Sequence, residues 1–283
     1  MFITLTTDFG NKDGFVGTMK GVIWGICPEA RIADISHEIT PQNVTEGAIT
    51  LWRAAPFFPA GTVHIAVVDP GVGTARRALA ARIGDQYFVG PDNGLFTPVI
   101  EDAQRAGAET TFVTLDKPEF WLRQVSRTFH GRDIFAPAGA HLAHGVKLEV
   151  MGTLINDPVL TPLAKPEKNA SGYKAQISVV DAFGNLTTNL PWPDVAGRKL
   201  LISIKDRVIH GLSTSYGHHK PEILSRWWTV KITSRSRWSM AARPKYLTRG
   251  RVTRWRCCSL KQIRNFVGET ITLVKCYRQV VIE

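Results

Sequence analysis

The stretch Thr62–Arg77, T-V-H-I-A-V-V-D-P-G-V-G-T-A-R-R, decides how the rest of the chain is read. Val63 to Val68 is an apolar, β-branched run that predicts a buried strand. The run breaks at Asp69-Pro70-Gly71, where proline fixes φ and glycine admits positive φ, so the chain turns. Arg76 and Arg77 follow within the same short loop. A carboxylate at the end of a buried strand, followed by a glycine-rich turn and cations, is where open α/β sheets place their chemistry. An ordinary strand exit with a capping Asp accounts for the same residues.

On the N-terminal side, residues 2–7 alternate as a strand and end in the polar loop Thr7-Asp8-Phe9-Gly10. Apolar residues at helical spacing predict a helix from Phe15 to Cys27, stopped by Pro28. Arg31–Ser36 reads as a second strand, and Asn43 with Glu46 as a capping box opening a helix to about Ala55. On the other side come strands over Ala78–Ile83 and Gln86–Val89, a helix over Leu95–Ala106 and a strand over Thr110–Leu115. His130-Gly131-Arg132-Asp133 then leads into a helix ending near Ala143. Strands alternating with helices predict an α/β class: a layered domain with a central sheet over residues 1–158. The stretch around Asp157–Gly172 carries three prolines and reads as a linker, residues 159–171. Beyond it Tyr173–Asp181, Leu186–Leu190 and Leu200–Ile209 read as strands with no helix between them. A smaller all-β domain over 172–283 is expected.

The net charge of +11 would point to nucleic acid or an anionic surface if it were spread over one face. It is not spread: residues 221–283 hold 14 Lys and Arg against three acids, so the first 220 residues balance at 21 of each. That tail also holds four of the eight Trp and three of the four Cys, no Asp, and only Gly250 and Gly268. Runs such as S-R-S-R-W-S-M-A-A-R show neither periodicity nor turn punctuation. Such a composition is what a shifted reading frame through a GC-rich gene would give, and 221–283 is read here as atypical on that ground. A basic, aromatic-interleaved nucleic-acid-binding tail is the alternative. No CxxC pair exists among Cys27, Cys257, Cys258 and Cys276, so neither zinc nor a disulfide framework is expected. No long apolar run predicts a membrane span, and no leader pattern opens the chain, so a cytoplasmic protein is expected.

Of the motifs that could carry chemistry, D-F-G at Asp8–Gly10 lacks every other kinase element. A carboxylate leaving a strand can instead hold ribose hydroxyls. Pro70–Thr74 is not a Walker loop, because no Lys-Ser/Thr pair follows. Gly90-Pro91-Asp92-Asn93-Gly94 reads as a tight turn. His130-Gly131-Arg132-Asp133 puts an imidazole, a bare amide, a cation and a carboxylate together, and could converge with Asp69 and Arg76. His37 and His64 lack paired metal-ligand spacing, so no metal site is expected.

Taken together, T-D-F-G-x-x-D-G, V-V-D-P-G-V-G-T-A-R-R, G-P-D-N-G-L, F-H-G-R-D-I-F-A-P and D-A-F-G-N resemble one family. It is the S-adenosyl-L-methionine (SAM) hydrolases, or SAM hydroxide adenosyltransferases, relatives of the fluorinating and chlorinating enzymes. The resemblance runs in order over residues 1 to about 220. It implies an N-terminal α/β domain, a C-terminal β-barrel-like domain left incomplete by the tail, and a homotrimer with SAM between subunits. It places the catalytic triad on Asp69, Arg76 and His130, and the ribose-binding carboxylate on Asp8. It places a methionine- and adenine-receiving loop on Asp181, Phe183 and Asn185. Asp69 with His130 resembles the hydroxide-using branch.

Chemistry reads the same residues compatibly. The sulfonium of SAM makes C5′ electrophilic and methionine leaves as a neutral thioether, so no general acid, metal or further cofactor is required. The nucleophile is the difficulty, since bulk water has a pKa near 15.7. Asp69 and His130 are candidate proton acceptors or orienters, and Arg76 could hold hydroxide charge while weakening Asp69 as a base. Backbone amides of Gly131 and Arg132 could add donors, and Phe183 a stacking face for adenine. Hydrolysis of SAM to adenosine and L-methionine is expected. Binding of SAM or adenosine without turnover, or nucleic-acid binding through the tail, are the alternatives.

Overall fold

The computed structural model describes residues 1–170, 172–181, 186–191, 194–195, 200–204, 207–210, 230–233 and 270–275. The chain divides into two units, Met1–Leu163 and Ala164–Glu283. In the first, seven strands form one sheet in the order β2-β1-β3-β5-β4-β6-β7. They are β1 (Phe2–Thr7), β2 (Arg31–Ser36), β3 (Val63–Val67), β4 (Ala78–Ile83), β5 (Gln86–Pro91), β6 (Thr110–Thr114) and β7 (Thr153–Ile155). The run β2-β1-β3-β5 is parallel, and β4, β6 and β7 continue it in antiparallel pairs. Helices α1 (Phe15–Ile26), α2 (Val44–Ala54), α3 (Thr97–Ala106) and α4 (Ala136–Ala143) complete the unit.

Every residue of β3 is buried, as a mostly apolar run requires of a strand covered on both faces, and His64 is the one polar side chain in it. The two-residue period separates those faces. Val63, Ile65 and Val67 join Ile3, Leu5, Met19, Ile23 and Phe135 in one cluster, under α1 and α4. Ala66 and Val68 join Leu51, Leu79, Phe88, Leu95 and Ile100 in the other, under α2 and α3. At the head of α2, Asn43 caps with its side chain by accepting from the Glu46 amide at 3.0 Å. Glu46 reaches back to the Asn43 side-chain amide and the Thr40 N–H, a variant of the expected box. The expected helix at Leu95 begins at Thr97, with Pro98 in its first turn, where a missing N–H costs nothing.

In the second unit β9 (Gly172–Val180), β10 (Leu186–Pro191), β11 (Leu200–Ile204), β12 (Arg207–His210), β13 (Val230–Thr233) and β14 (Thr270–Lys275) run in the order β12-β11-β14-β9-β10-β13. The short β8 (Glu167–Lys168) pairs with β9. Ala175, Ile177, Leu186, Leu190, Val195, Ile202 and Ile204 form its core. Among the described residues this order is open, in keeping with the incomplete barrel-like domain expected from the resemblance. Two expectations change. The strand read continuously over Leu200–Ile209 is two antiparallel strands, with Ile204 paired to Arg207. Its connection carries no glycine, which is why no hairpin signal is visible in the sequence. The tail read as atypical and aperiodic also contributes a strand to the sheet: β14 lies between β9 and β11, antiparallel to both.

Two outcomes follow. His64 is fully buried on β3, bonds Thr4 Oγ1 through Nδ1 at 2.7 Å and stacks on Phe88. Burial pushes its pKa from 6.5 down to about 4. A folded-state pKa below the unfolded one gives stability that is complete above pH 6.5 and is lost as pH falls toward 4. Urea unfolding at pH 7 and pH 4 is expected to differ by a His64 contribution on the order of 3 kcal/mol. His64→Leu is expected to make that pH slope shallower whatever its baseline stability; an unchanged slope would refute the assignment. Second, amides of Thr270–Lys275 are expected to exchange slowly, because β14 has a partner on each side. Rapid exchange there would place β14 outside the sheet.

Candidate active site

Four parallel strands end on the same edge of the first sheet, so the residues following them share that edge. Asp8 follows β1, His37 follows β2, Asp69 lies just beyond β3 and Asp92 follows β5. The antiparallel β4 starts from this edge, and Arg76 and Arg77 immediately precede it. The exit of β3 is held from the side: Asn93 Nδ2 donates to the Val68 carbonyl at 2.9 Å, and Asn93 Oδ1 accepts the Leu95 N–H.

Asp69, Arg76 and His130 come together. Arg76 Nε lies 3.0 Å from each Asp69 carboxylate oxygen, and Arg76 Nη2 makes a second, very short contact to Oδ2. The same Nη2 is 2.8 Å from His130 Nδ1. The pair is nearly dry, with side-chain exposures of 11% for Arg76 and 5% for Asp69. The guanidinium also lies 5.1 Å from the Phe135 ring centroid, a cation–π contact that fixes its plane. A guanidinium only donates, so Nδ1 must accept and the neutral imidazole carries its proton on Nε2. Burial and the positive charge of Arg76 lower the His130 pKa, against opposing effects of Asp69 and Asp133. Neutral His130 is therefore the resting form, presenting an Nε2–H donor. With a guanidinium against Asp69, this group makes a poor cation site.

His130 is held by an unusual turn. Residues Gly131–Phe135 form a single π-helical turn running directly into α4. Asp133, fully buried, accepts the Ser126 N–H at 2.8 Å and pairs with Arg132. Burial alone would raise the Asp133 carboxyl, but hydrogen bonds from Arg132 and Ser126 outweigh it and hold it low. The Arg132 N–H, read from sequence as a donor toward the nucleophile, is spent on the Phe129 carbonyl at 3.1 Å. Two glycines let the loops meet. Gly73, at φ 76°, lies so close to the Arg127 carbonyl oxygen that a Cβ would approach it to 2.3 Å. A Cβ on Gly131 would stand 3.1 Å from the Phe9 ring.

Asp8 is the first residue after β1, whose Thr7 pairs with Val67 of β3, and Phe9 packs edge-on against Phe129. Asp8 Oδ2 accepts the Gln42 N–H at 2.7 Å. Gln42 sits at φ 64°, the one non-glycine residue with positive φ among the described residues. Non-glycine backbone in that region is uncommon, and strained positions of this kind cluster at functional loops. Thr7 Oγ1 bonds His37 Nδ1 at 2.8 Å and the Gly10 N–H donates to the His37 carbonyl, which ties the Asp8 loop to the end of β2. Asp92 is a clamp: it takes Arg77 Nε at 2.8 Å and the Val159 N–H at 2.7 Å. Asp181 follows β9 in the second unit, and Phe183 and Asn185 lie outside the described residues. Gln42 and Ser126 are supporting residues the sequence reading passed over, and Asp133, singled out there for possible chemistry, instead ties down Ser126; a non-glycine positive φ leaves no mark in sequence.

Comparison with known proteins brings these features under one heading. The SAM hydroxide adenosyltransferase N-terminal domain matches residues 3–152, which carry Asp8, His37, Asp69, Arg76, Asp92 and His130 but not Val159 or Asp181. A protein of Salinispora tropica named (R)-S-adenosyl-L-methionine hydrolase is 46% identical over 191 residues, covering 65% of this chain and 70% of the relative. A fluorinase of Actinoplanes sp. is 32% identical over 223 residues, covering 68% of this chain and 72% of the relative. The crystal structure of an uncharacterised conserved protein from Thermotoga maritima superposes with a TM-score of 0.71 at 36% identity, over 78% of this chain and 85% of that one. With the shared strand edge, the carboxylate after β3 and the histidine before the π-helical turn all inside the matched region, the chain belongs to the SAM hydroxide adenosyltransferase family.

Proposed function

We propose that this protein hydrolyses SAM to adenosine and L-methionine, with water attacking ribose C5′ in line with the bond to sulfur. One observation carries the assignment of roles: a single guanidinium is shared between Asp69 and His130. It orients the carboxylate and fixes the imidazole tautomer in one step. On this reading the Nε2–H of His130 donates to the attacking oxygen, and Asp69 accepts from the same water through a lone pair that Arg76 leaves free. Any carboxylate is a weak base, but the chemistry asks little of it. As the C–O bond forms, the attacking water becomes an oxonium and far more acidic than bulk water, so the proton transfers late and downhill. The C5′–S bond breaks as the C–O bond forms, its electrons leave with the neutral thioether, and the proton passes from Asp69 to solvent.

The remaining assignments are proposals on the same footing. Asp8, aimed by Gln42, holds the ribose hydroxyls. The Gly131 backbone lines the nucleophile side, and Asp181, Phe183 and Asn185 receive the methionine amino group and adenine. The reaction needs no metal or cofactor, since the sulfonium is already activated. A homotrimer and a cytoplasmic location are proposed from the family. No described helix is long and apolar enough to cross a membrane.

Purified protein incubated with SAM is expected to release adenosine and methionine in equal amounts, resolved by chromatography. Asp69→Asn and His130→Ala are each expected to lower kcat by roughly 10²–10⁴-fold. His130→Gln, which keeps a donor, is expected to lose less than His130→Ala. Full activity in both Asp69→Asn and His130→Ala would remove the triad from the mechanism. The pH profile is a separate check. Protonating Nδ1 replaces the acceptor that Arg76 needs with a competing donor. Because the His130 pKa lies below its usual 6.5, kcat/KM is expected to be flat above that pH and to fall on an acid limb below it. An imidazole limb centred above neutrality would contradict the neutral resting histidine.

A further inference from the structure

The side of α1 and α4 where both helices end carries a second cluster that the reaction does not use. The two helices pack against each other, and each ends on a residue with a metal-binding side chain. Cys27 closes α1 and His144 closes α4, while Glu29 stands in the turn leading to β2. Cys27 Sγ lies 3.4 Å from Glu29 Oε1, and His144 Nδ1 lies 3.2 Å from that same oxygen. All three donor atoms fall within 4.8 Å of one another.

We propose that Cys27, Glu29 and His144 form a three-ligand site for a zinc-type divalent cation, with a fourth, outward position left for water. The donor set is a thiolate, a carboxylate and an imidazole, the set that borderline-soft zinc prefers over calcium or magnesium. The spacing fits as well. With Zn–S near 2.3 Å and Zn–N or Zn–O near 2.0–2.1 Å, tetrahedral ligands stand roughly 3.3–3.6 Å apart. The observed separations from Glu29 Oε1 to its two neighbours are close to those edges without rearrangement.

The surroundings favour positive charge independently of the ligands. Two helix C-termini converge, and the aligned peptide dipoles amount to roughly half a negative charge at each. That potential is normally met by Lys or Arg in the last turn. The last turn of α1 has no basic residue, and that of α4 has only His141. Cys27 is fully buried, while Glu29 and His144 are exposed, so a cation would enter from solvent and meet the thiol last. Binding exchanges the Cys27 thiol proton for the metal, and that proton leaves to solvent.

Cobalt(II) serves as the probe. Full-length protein, stripped with chelator under reducing conditions, is titrated with Co²⁺ and followed by absorbance. The expected result is one Co²⁺ per chain with a near-ultraviolet thiolate-to-cobalt band and visible tetrahedral bands, both bleached by Zn²⁺. Cys257, Cys258 and Cys276 could supply thiolates too, so a variant with all three changed to Ser is expected to keep the spectrum. Cys27→Ser is expected to abolish it. Since a buried substitution could impair folding, His144→Ala and Glu29→Gln, both at exposed positions, provide the decisive arm. Each is expected to weaken Co²⁺ binding at least by the roughly 10–100-fold that loss of a supporting residue costs. The proposal fails if no thiolate band appears, if the band survives Cys27→Ser, or if it vanishes with the three tail cysteines. Unchanged affinity in both His144→Ala and Glu29→Gln would equally overturn it.

Discussion

The contact on which the rest of the first unit depends is the sharing of Arg76 between Asp69 and His130. A guanidinium this dry is costly to desolvate, and its pair with Asp69 is worth keeping only if the geometry is good and the remaining N–H groups find acceptors. His130 Nδ1 supplies one and the Arg77 carbonyl another. The Phe135 face supplies the rest of the enclosure. Removing either acidic or imidazole partner therefore leaves a half-satisfied buried cation. For that reason the three residues behave as one unit, and single substitutions among them will not add.

Around this contact the fold is built to bring three separate loops together. The first leaves β3 and is allowed to lie against residue 127 only because Gly73 has no side chain. The second is the π-helical turn, which inserts an extra backbone residue per turn and so rotates His130 relative to the axis of α4. Asp133 pins that turn by taking the Ser126 amide, from inside the core where no water competes. The third is the Asp8 loop, held through His37 and Gln42 and pressed on Gly131 by Phe9. A sheet edge supplies the common platform, but it is these few polar ties that convert nearness along the edge into a defined constellation.

Much of this was legible beforehand because it rests on local rules. The mostly apolar run of β3, the Asn43–Glu46 cap and the Pro28 stop each speak through residue type at fixed spacing. What stayed hidden depends on partners distant in sequence or on backbone shape. The Arg77–Asp92–Asp157 clamp joins residues 80 positions apart. The Cys27–Glu29–His144 cluster spans 115, which no spacing motif can reveal. The π-helical turn follows the same residues that would make an ordinary helix start. In the tail, composition argued against order. Yet T-I-T-L-V-K at 270–275 is β-branched and alternating, and a strand needs only that much to fill a gap between two antiparallel neighbours. Composition averaged over 63 residues hid a six-residue strand.

The electrostatics of the site also bear on why water, rather than a halide, fits the proposed reaction. Asp69 and Arg76 together carry no net charge, and a neutral His130 adds none. A halide entering such a place would surrender its hydration shell without gaining a compensating cation, and would face a carboxylate a few ångströms away. Water loses far less on entry and gains both a donor, the imidazole Nε2–H, and an acceptor, the Asp69 oxygen. The same pairing that stops Arg76 from acting as a free cation thus excludes anions and orients a neutral nucleophile. In the proposed reaction the preference for water therefore rests on the carboxylate opposite the guanidinium, one residue at the exit of β3, and not on the fold.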